Sequence, residues 1–377
     1  MKKCIVCGAP LFDEPLFCCD NMPSSAQNIP DAIDVQKDKG IKLNLCQCSG
    51  CGLVQFDCEP VSYYKDVIRA GGFSTTMVEL RRAQYKHFID KCNLKGKKII
   101  EVGCGQGEFL NVLTEFDVKS YGIENSEKLV QLAKGKGLNV VNAFADFADT
   151  ALPNQPFDAF LSFNFLEHQP YPNEMLRCIY NNLTEAAYGL VTVPSLEYIL
   201  DNEGYYELIR DHIAYYTKES LQFVLEKNGF SVLESTVVNR DTLAVIVQKK
   251  PRLHVETLCE NYRVLSDELC KFANDIKASG KKLAVWGASH QGFTLLATTG
   301  VSKDVSYIID SAPFKQGKFA PASHLPIVPP SYFFENPVDT VLIVAPGYTA
   351  EITDIIREKF GNQVQISVLR SKKLEIL

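Results

Sequence analysis

Apolar and polar positions repeat with two periods along this chain, and the changes of period mark its elements. From Met77 to Asn93 apolar residues recur every three or four positions, which predicts an amphipathic helix. The run Lys97-Lys-Ile-Ile-Glu-Val102 then reads as a strand entering the turn Gly103-Cys-Gly105-Gln-Gly107, with a helix from Glu108 to about Phe116. Strands follow at Ser120–Ile123, Phe157–Phe163 and Leu190–Val193, and Thr217 is placed to cap a helix over 218–227. After Pro251, Leu258, Tyr262, Leu265, Leu269, Phe272 and Ile276 fall on one helical face. The strand Leu283–Trp286 next enters the turn Gly287-Ala-Ser-His-Gln-Gly292, and strands are expected over 305–309, 338–344 and 364–369. Alternating strands and helices predict an α/β fold with two such layers.

The length of 377 residues allows two or three domains. With 46% hydrophobic and 22% charged residues the chain is neither disordered nor a coiled-coil rod. A net charge of −6 gives no electrostatic reason to expect nucleic acid or an anionic membrane as partner. No apolar run reaches the roughly 18 residues of a spanning helix. The start MKKCIVCGAP turns polar too early for a secretory leader, so a cytoplasmic protein is expected.

Eight of the thirteen cysteines lie in the first 58 residues. Cys4-Ile-Val-Cys7-Gly and Cys48-Ser-Gly-Cys51-Gly have the spacing at which paired thiolates close on one tetrahedral zinc ion. Four thiolates leave no open position, so such a zinc is structural. Cys18, Cys19, Cys46 and Cys58 lack this pairing. The same segment carries more acidic than basic side chains and offers no basic face for nucleic acid.

Gly103, Gly105 and Gly107 let the backbone pass close to a ligand at the carboxyl end of a first strand, where open α/β sheets bind nucleotides. Glu108 stands where a dinucleotide fingerprint needs Gly or Ala, which weakens a nicotinamide or flavin reading. About 20 residues on, Glu124 ends the second strand, positioned for the hydroxyls of a ribose. Glu101-x-Gly103-x-Gly105-x-Gly107 with Glu124 resembles the cofactor signature of class I methyltransferases that use S-adenosylmethionine. The resemblance implies a Rossmann-like central sheet. It puts the turn beside the methionine part of the cofactor, Glu124 at the ribose, and Asp146 and Phe147 beside the adenine, with Asn125 also in the cofactor set. Asn164 joins the same implied cofactor set.

Two histidines stand in long connections near the expected carboxyl edge of the sheet, His168 in Asn164-Phe-Leu-Glu-His168 and His212 in Arg210-Asp211-His212. An imidazole beside a carboxylate is a plausible acid/base unit, and a hydrogen-bonded structural histidine is the equal alternative. Taken together, the cysteine pairs ending in Cys51-Gly-Leu-Val-Gln55, these two loops, and Gly287–Gly292 with Asp310-Ser-Ala-Pro-Phe-Lys315-Gln-Gly317 resemble the sugar-nucleotide C-methyltransferases of deoxysugar biosynthesis. That family implies three domains: 1–75 binding zinc, 76–250 binding S-adenosylmethionine, and 251–377 an α/β domain on the sugar-nucleotide side.

Carried onto this sequence, the resemblance makes His212 the base that removes a proton next to the ketone of a nucleotide-linked keto-deoxysugar. Asp211 would orient or charge it, His168 would lie near the developing enolate, and Tyr63 or Tyr64 would supply a donor beside the segment Arg69 to Met77. Ser289, His290, Gln291 and Asp310 are the implied substrate contacts. Arg210 or Lys315 would replace the charge lost where Gln291 stands for the family's lysine. Arg240-Asp241-Thr242 also departs from the family's Gly-Gly-Ser. An O- or N-methyltransferase on a related carbohydrate is the competing enzyme reading, and a non-enzymatic zinc-ribbon adaptor the competing class. The oligomeric state is open, with a monomer favoured.

Overall fold

The structure, a computed structural model, describes residues 3–66, 74–370 and 372–377. It divides into two compact units, Met1–Arg252 and Leu253–Leu377.

The first unit is built on a seven-stranded sheet. Numbered by their order in the chain, its strands run 3-2-1-4-5-7-6 across the sheet. The first five are Lys98–Val102, Lys119–Glu124, Val140–Asn142, Phe157–Phe163 and Leu183–Pro194, all parallel. The seventh, Thr242–Lys249, is antiparallel and inserts between the fifth and the sixth, Phe230–Val238. Central strands covered on both faces need apolar residues at nearly every position. Phe157, Ala159, Phe160, Leu161 and Phe163 are accordingly almost fully buried. The order reverses beside the first strand, between its neighbours the second and the fourth. Ligands bind at the carboxyl edge of such a switch point.

The amino-terminal segment belongs to this unit and does not stand apart from it. Its strands Phe17–Met22, Ile41–Gln47 and Val54–Phe56 form an antiparallel sheet whose fourth strand is Ala214–Tyr215. The pairing Val54 with Tyr215 and Gln55 with Ala214 holds the Asp211-His212 connection against residues some 160 positions earlier. Beyond it Thr217 and Ser220 close a capping box that starts the helix Lys218–Lys227.

The second unit is a six-stranded sheet whose strands, numbered within it, run 3-2-1-4-5-6. Leu283–Trp286 is central, and only the last strand, Lys373–Ile376, is antiparallel. The helix Glu256–Ala278 buries Leu265, Leu269, Ala273 and Ile276 on this sheet, while Leu258 and Tyr262 remain exposed. No described helix is long and apolar enough to cross a membrane.

Candidate active site

Two adjoining cavities open at the switch point of the first unit. The first is lined by Gly103, Gly105, Gln106, Ile123, Glu124, Asn125, Phe144 and Phe165, with Lys65 at its side. Gly103, Gly105 and Gly107 all take left-handed φ, at +72°, +59° and +80°. L-residues avoid that region because Cβ crowds the following carbonyl. A Cβ on Gly103 would stand 3.3 Å from the Phe165 ring, and one on Gly107 only 2.3 Å from Leu138. The turn thus needs glycine for conformation and for close packing at once.

Glu124 is buried, 8% exposed, and its two oxygens accept the N–H groups of Gly105 at 3.0 Å and Ser126 at 2.9 Å. Burial raises its pKa against the lowering effect of those donors. The carboxylate lines the cavity, and a carboxylate with acceptor capacity to spare fits a diol such as ribose. Asn125 also lines the cavity and donates to Asp66 at 2.7 Å.

The remaining residues of the expected cofactor set are placed differently. Phe147 is 59% exposed and lies outside the cavity lining, where Phe144 stands instead, edge-on to Tyr64 and Phe165. Asp146 pairs with Lys65, and that contact raises the lysine pKa. Glu101 is wholly buried beneath the turn and reaches neither cavity. Asn164, at φ +47°, lines the second cavity and accepts from the Thr192 hydroxyl at 2.9 Å.

The second cavity, about 570 Å³, shares Gly103 and Phe165 with the first. It brings together His168, His212, Asp211 and Glu167, from two connections more than 40 residues apart. The two imidazoles meet edge to face with centroids 4.6 Å apart. Nδ1 of His168 lies 2.8 Å from the backbone carbonyl of Asp211. A carbonyl only accepts, so the proton is on Nδ1, and Nε2 stands 3.9 Å from Glu167 Oε1. Burial depresses both histidines, His212 to about 3 with His168 adding to the effect, so both rings are neutral at pH 7.

The carboxylate of Asp211 does not orient His212, contrary to expectation. Oδ1 accepts from the Tyr63 hydroxyl at 2.7 Å and Oδ2 from the Ala26 N–H at 2.8 Å. Tyr63 therefore has its one proton committed to Asp211, and the Ser25 hydroxyl, 2.6 Å away, donates to Tyr63 in turn. Tyr64 is half-buried against Phe144, and burial raises its pKa. Arg210 is turned toward the amino-terminal segment. Its guanidinium donates to the carbonyls of Ser24 at 2.8 Å and Glu59 at 3.1 Å. Of the segment Arg69 to Met77, residues 69–73 lie outside the described residues, while Ser74 and Met77 line the second cavity.

Residues 77–235 match the family described as "Methyltransferase domain", and residues 229–368 match "C-methyltransferase C-terminal domain". The chain is an S-adenosylmethionine-dependent methyltransferase. Along 96% of its length it is similar to the C-methyltransferase NovU of Streptomyces niveus, at 23% identity and covering 94% of that protein. A shorter match, 30% identical over 96 residues, covers 24% of this methyltransferase and 41% of a ubiquinone biosynthesis O-methyltransferase of Coxiella burnetii. Among solved structures it is similar to an S-adenosylmethionine-dependent methyltransferase of Clostridium acetobutylicum, with 12% identity and TM-score 0.38 over 45% of this chain and 92% of that one.

The four paired cysteines of the methyltransferase converge. Their sulfurs all lie within 4.8 Å of one another, with Cys7 and Cys48 at 3.3 Å and Cys4 and Cys51 at 3.6 Å. Zinc–sulfur bonds of about 2.3 Å in a tetrahedron put sulfurs nearly 3.8 Å apart, close to this spacing. The N–H groups of Val6 and Cys7 point at Cys4 Sγ, and those of Gly50 and Cys51 at Cys48 Sγ. Backbone donors of this kind hold thiolates in place for a cation.

In the second unit the expected substrate residues divide. Asp310 is held by the N–H groups of Ala288 and Ala312 and by Lys315 at 3.0 Å, which commits both charged side chains to each other. Ser289 caps the helix His290–Thr298 through the Gly292 N–H. His290 and Gln291 do line a cavity, together with Tyr262 and Thr294. The sequence did not single out Arg81, which is 3% exposed and lines the second cavity. Its signal was helical spacing, four and seven residues before the buried Tyr85 and Phe88.

Proposed function

We propose that this methyltransferase methylates the carbon next to the ketone of a nucleotide-linked keto-deoxysugar, with His212 as the base. The observation that carries the reading is the pair of neutral imidazoles in a cavity that shares Gly103 and Phe165 with the cofactor pocket. The C-methyltransferase similarity along nearly the whole chain supports transfer to carbon. Bound S-adenosylmethionine supplies the electrophilic methyl group.

The chain's own work is to remove the proton and hold the carbanion in position. A neutral ring at pH 7 can accept the proton without first losing one. As the enolate forms beside it, negative charge raises the proton affinity that burial has depressed. His168, fixed through Nδ1 by the Asp211 carbonyl, packs against the His212 ring and sets its position. Asp211 is a positioning residue in this scheme, and Tyr63 and Ala26 hold it from the amino-terminal segment. Zinc on Cys4, Cys7, Cys48 and Cys51 would hold that segment folded.

Solvent exchange at the carbon next to the ketone tests the base separately from methyl transfer. His212→Asn is expected to slow this exchange by about 10²- to 10⁴-fold. Exchange at the wild-type rate would remove His212 from the mechanism.

A further inference from the structure

Arg81 occupies an unusual place for a cation. It lies inside the helix Thr75–Cys92, 3% exposed, with its guanidinium carbon 3.5 Å from the ring centroid of Phe163 and 4.5 Å from that of Phe109. Nη1 donates to Gln84 Oε1 at 2.7 Å. Phe163 ends the fourth strand of the sheet, and Phe109 sits in the first turn of the helix that follows the glycine turn. The guanidinium is therefore stacked beside the carboxyl edge of the sheet, at the second cavity. Among the described residues lining the second cavity, Arg81 is the one permanent cation.

We propose that Arg81 binds the carboxylate of S-adenosylmethionine. The cofactor carries a sulfonium, an ammonium and a single anion, its carboxylate. If Glu124 holds the ribose, the amino-acid end extends past Gly103 toward the cavity that Arg81 lines. A carboxylate leaving water needs a charged, hydrogen-bonding partner, and a planar guanidinium matches its two oxygens. The two phenylalanine faces hold the guanidinium in one plane before any ligand arrives. The assignment concerns the cofactor alone and is independent of the acceptor's identity.

Calorimetric titration of the full chain with S-adenosylhomocysteine and with methylthioadenosine tests it. Methylthioadenosine keeps the adenosine and the sulfur but lacks the carboxylate. Arg81→Gln is expected to weaken S-adenosylhomocysteine by about 10- to 100-fold and to leave methylthioadenosine unchanged. Arg81→Lys, which keeps the charge but loses the planar fork, should fall between wild type and Arg81→Gln. Unchanged S-adenosylhomocysteine affinity in Arg81→Gln would overturn the proposal. Equal loss of both ligands would also overturn it, because that pattern marks a disturbed fold and not a lost carboxylate partner.

Discussion

The hydroxyl of Tyr63 donates to the carboxylate of Asp211 across 2.7 Å, joining residues 148 positions apart in the chain. With the Ala26 N–H on the other oxygen, the amino-terminal segment holds the residue whose backbone carbonyl fixes His168. The cysteine-bearing segment is thereby tied to the histidine pair through two hydrogen bonds to Asp211 and a third from that residue's carbonyl to His168.

Tyr63→Phe removes one donor and leaves the buried Asp211 Oδ1 short of a partner. It is expected to destabilise by about 1–3 kcal/mol. It should also lower kcat by more than it lowers S-adenosylhomocysteine affinity, since Asp211 lines the second cavity while Glu124 and the glycine turn line the first. Denaturant midpoints and calorimetry on the same preparation check both halves. A fall in cofactor affinity as large as the fall in kcat would contradict the separation.

Stability should depend on pH through the two imidazoles. Both have folded pKa values below the unfolded value of about 6.5, so the unfolded chain binds more protons once pH falls beneath it. Stability is complete above that value and declines as pH drops toward about 3, the folded value of His212. For His212 alone the loss from neutral pH to pH 5 is about 2 kcal/mol. His212→Asn should flatten the slope of stability against pH over this window. An unchanged slope would show that the ring is not buried neutral.

Gly103→Ala is expected to destabilise by about 1–2 kcal/mol from the left-handed backbone alone. The added methyl would also press on Phe165 at 3.3 Å, so S-adenosylhomocysteine affinity should fall as well. Thermal shift with and without the ligand separates the two effects.

Zinc content measured on the purified chain should be one ion, and Cys48→Ser should lose it. Metal loss removes folding free energy from the segment that carries Ala26 and Tyr63. The thermal midpoint and kcat should therefore fall together. A chain with no bound metal and full activity would rule out the zinc role.

Much of the central sheet was legible in the chain. The strand Phe157–Phe163 and the helix Lys218–Lys227 fall where the pattern put them, because a buried parallel strand and a capped amphipathic helix each leave a local trace. The turn glycines were legible for the same reason, since left-handed φ selects the residue type. The hairpin Phe230–Val238 with Thr242–Lys249 was not read, and neither were the partners of Asp211. Adjacent residues suggested that Asp211 serves His212, but the fold turns the carboxylate toward Tyr63 and Ala26, and no local pattern encodes that choice. Phe144 and Phe147 are the same residue type three positions apart, and only the packed structure shows which one faces the cavity. The pairing of Arg210 with two backbone carbonyls was hidden likewise, since both lie in residues 24–59.

Carbon NMR of the product made with methyl-¹³C-labelled S-adenosylmethionine and a TDP-4-keto-6-deoxysugar tests the central claim most directly. The account predicts a labelled methyl bonded to carbon, seen as a one-bond carbon–carbon coupling to the position next to the ketone when the sugar is labelled as well. A labelled methyl on oxygen or nitrogen, with no such coupling, would contradict it.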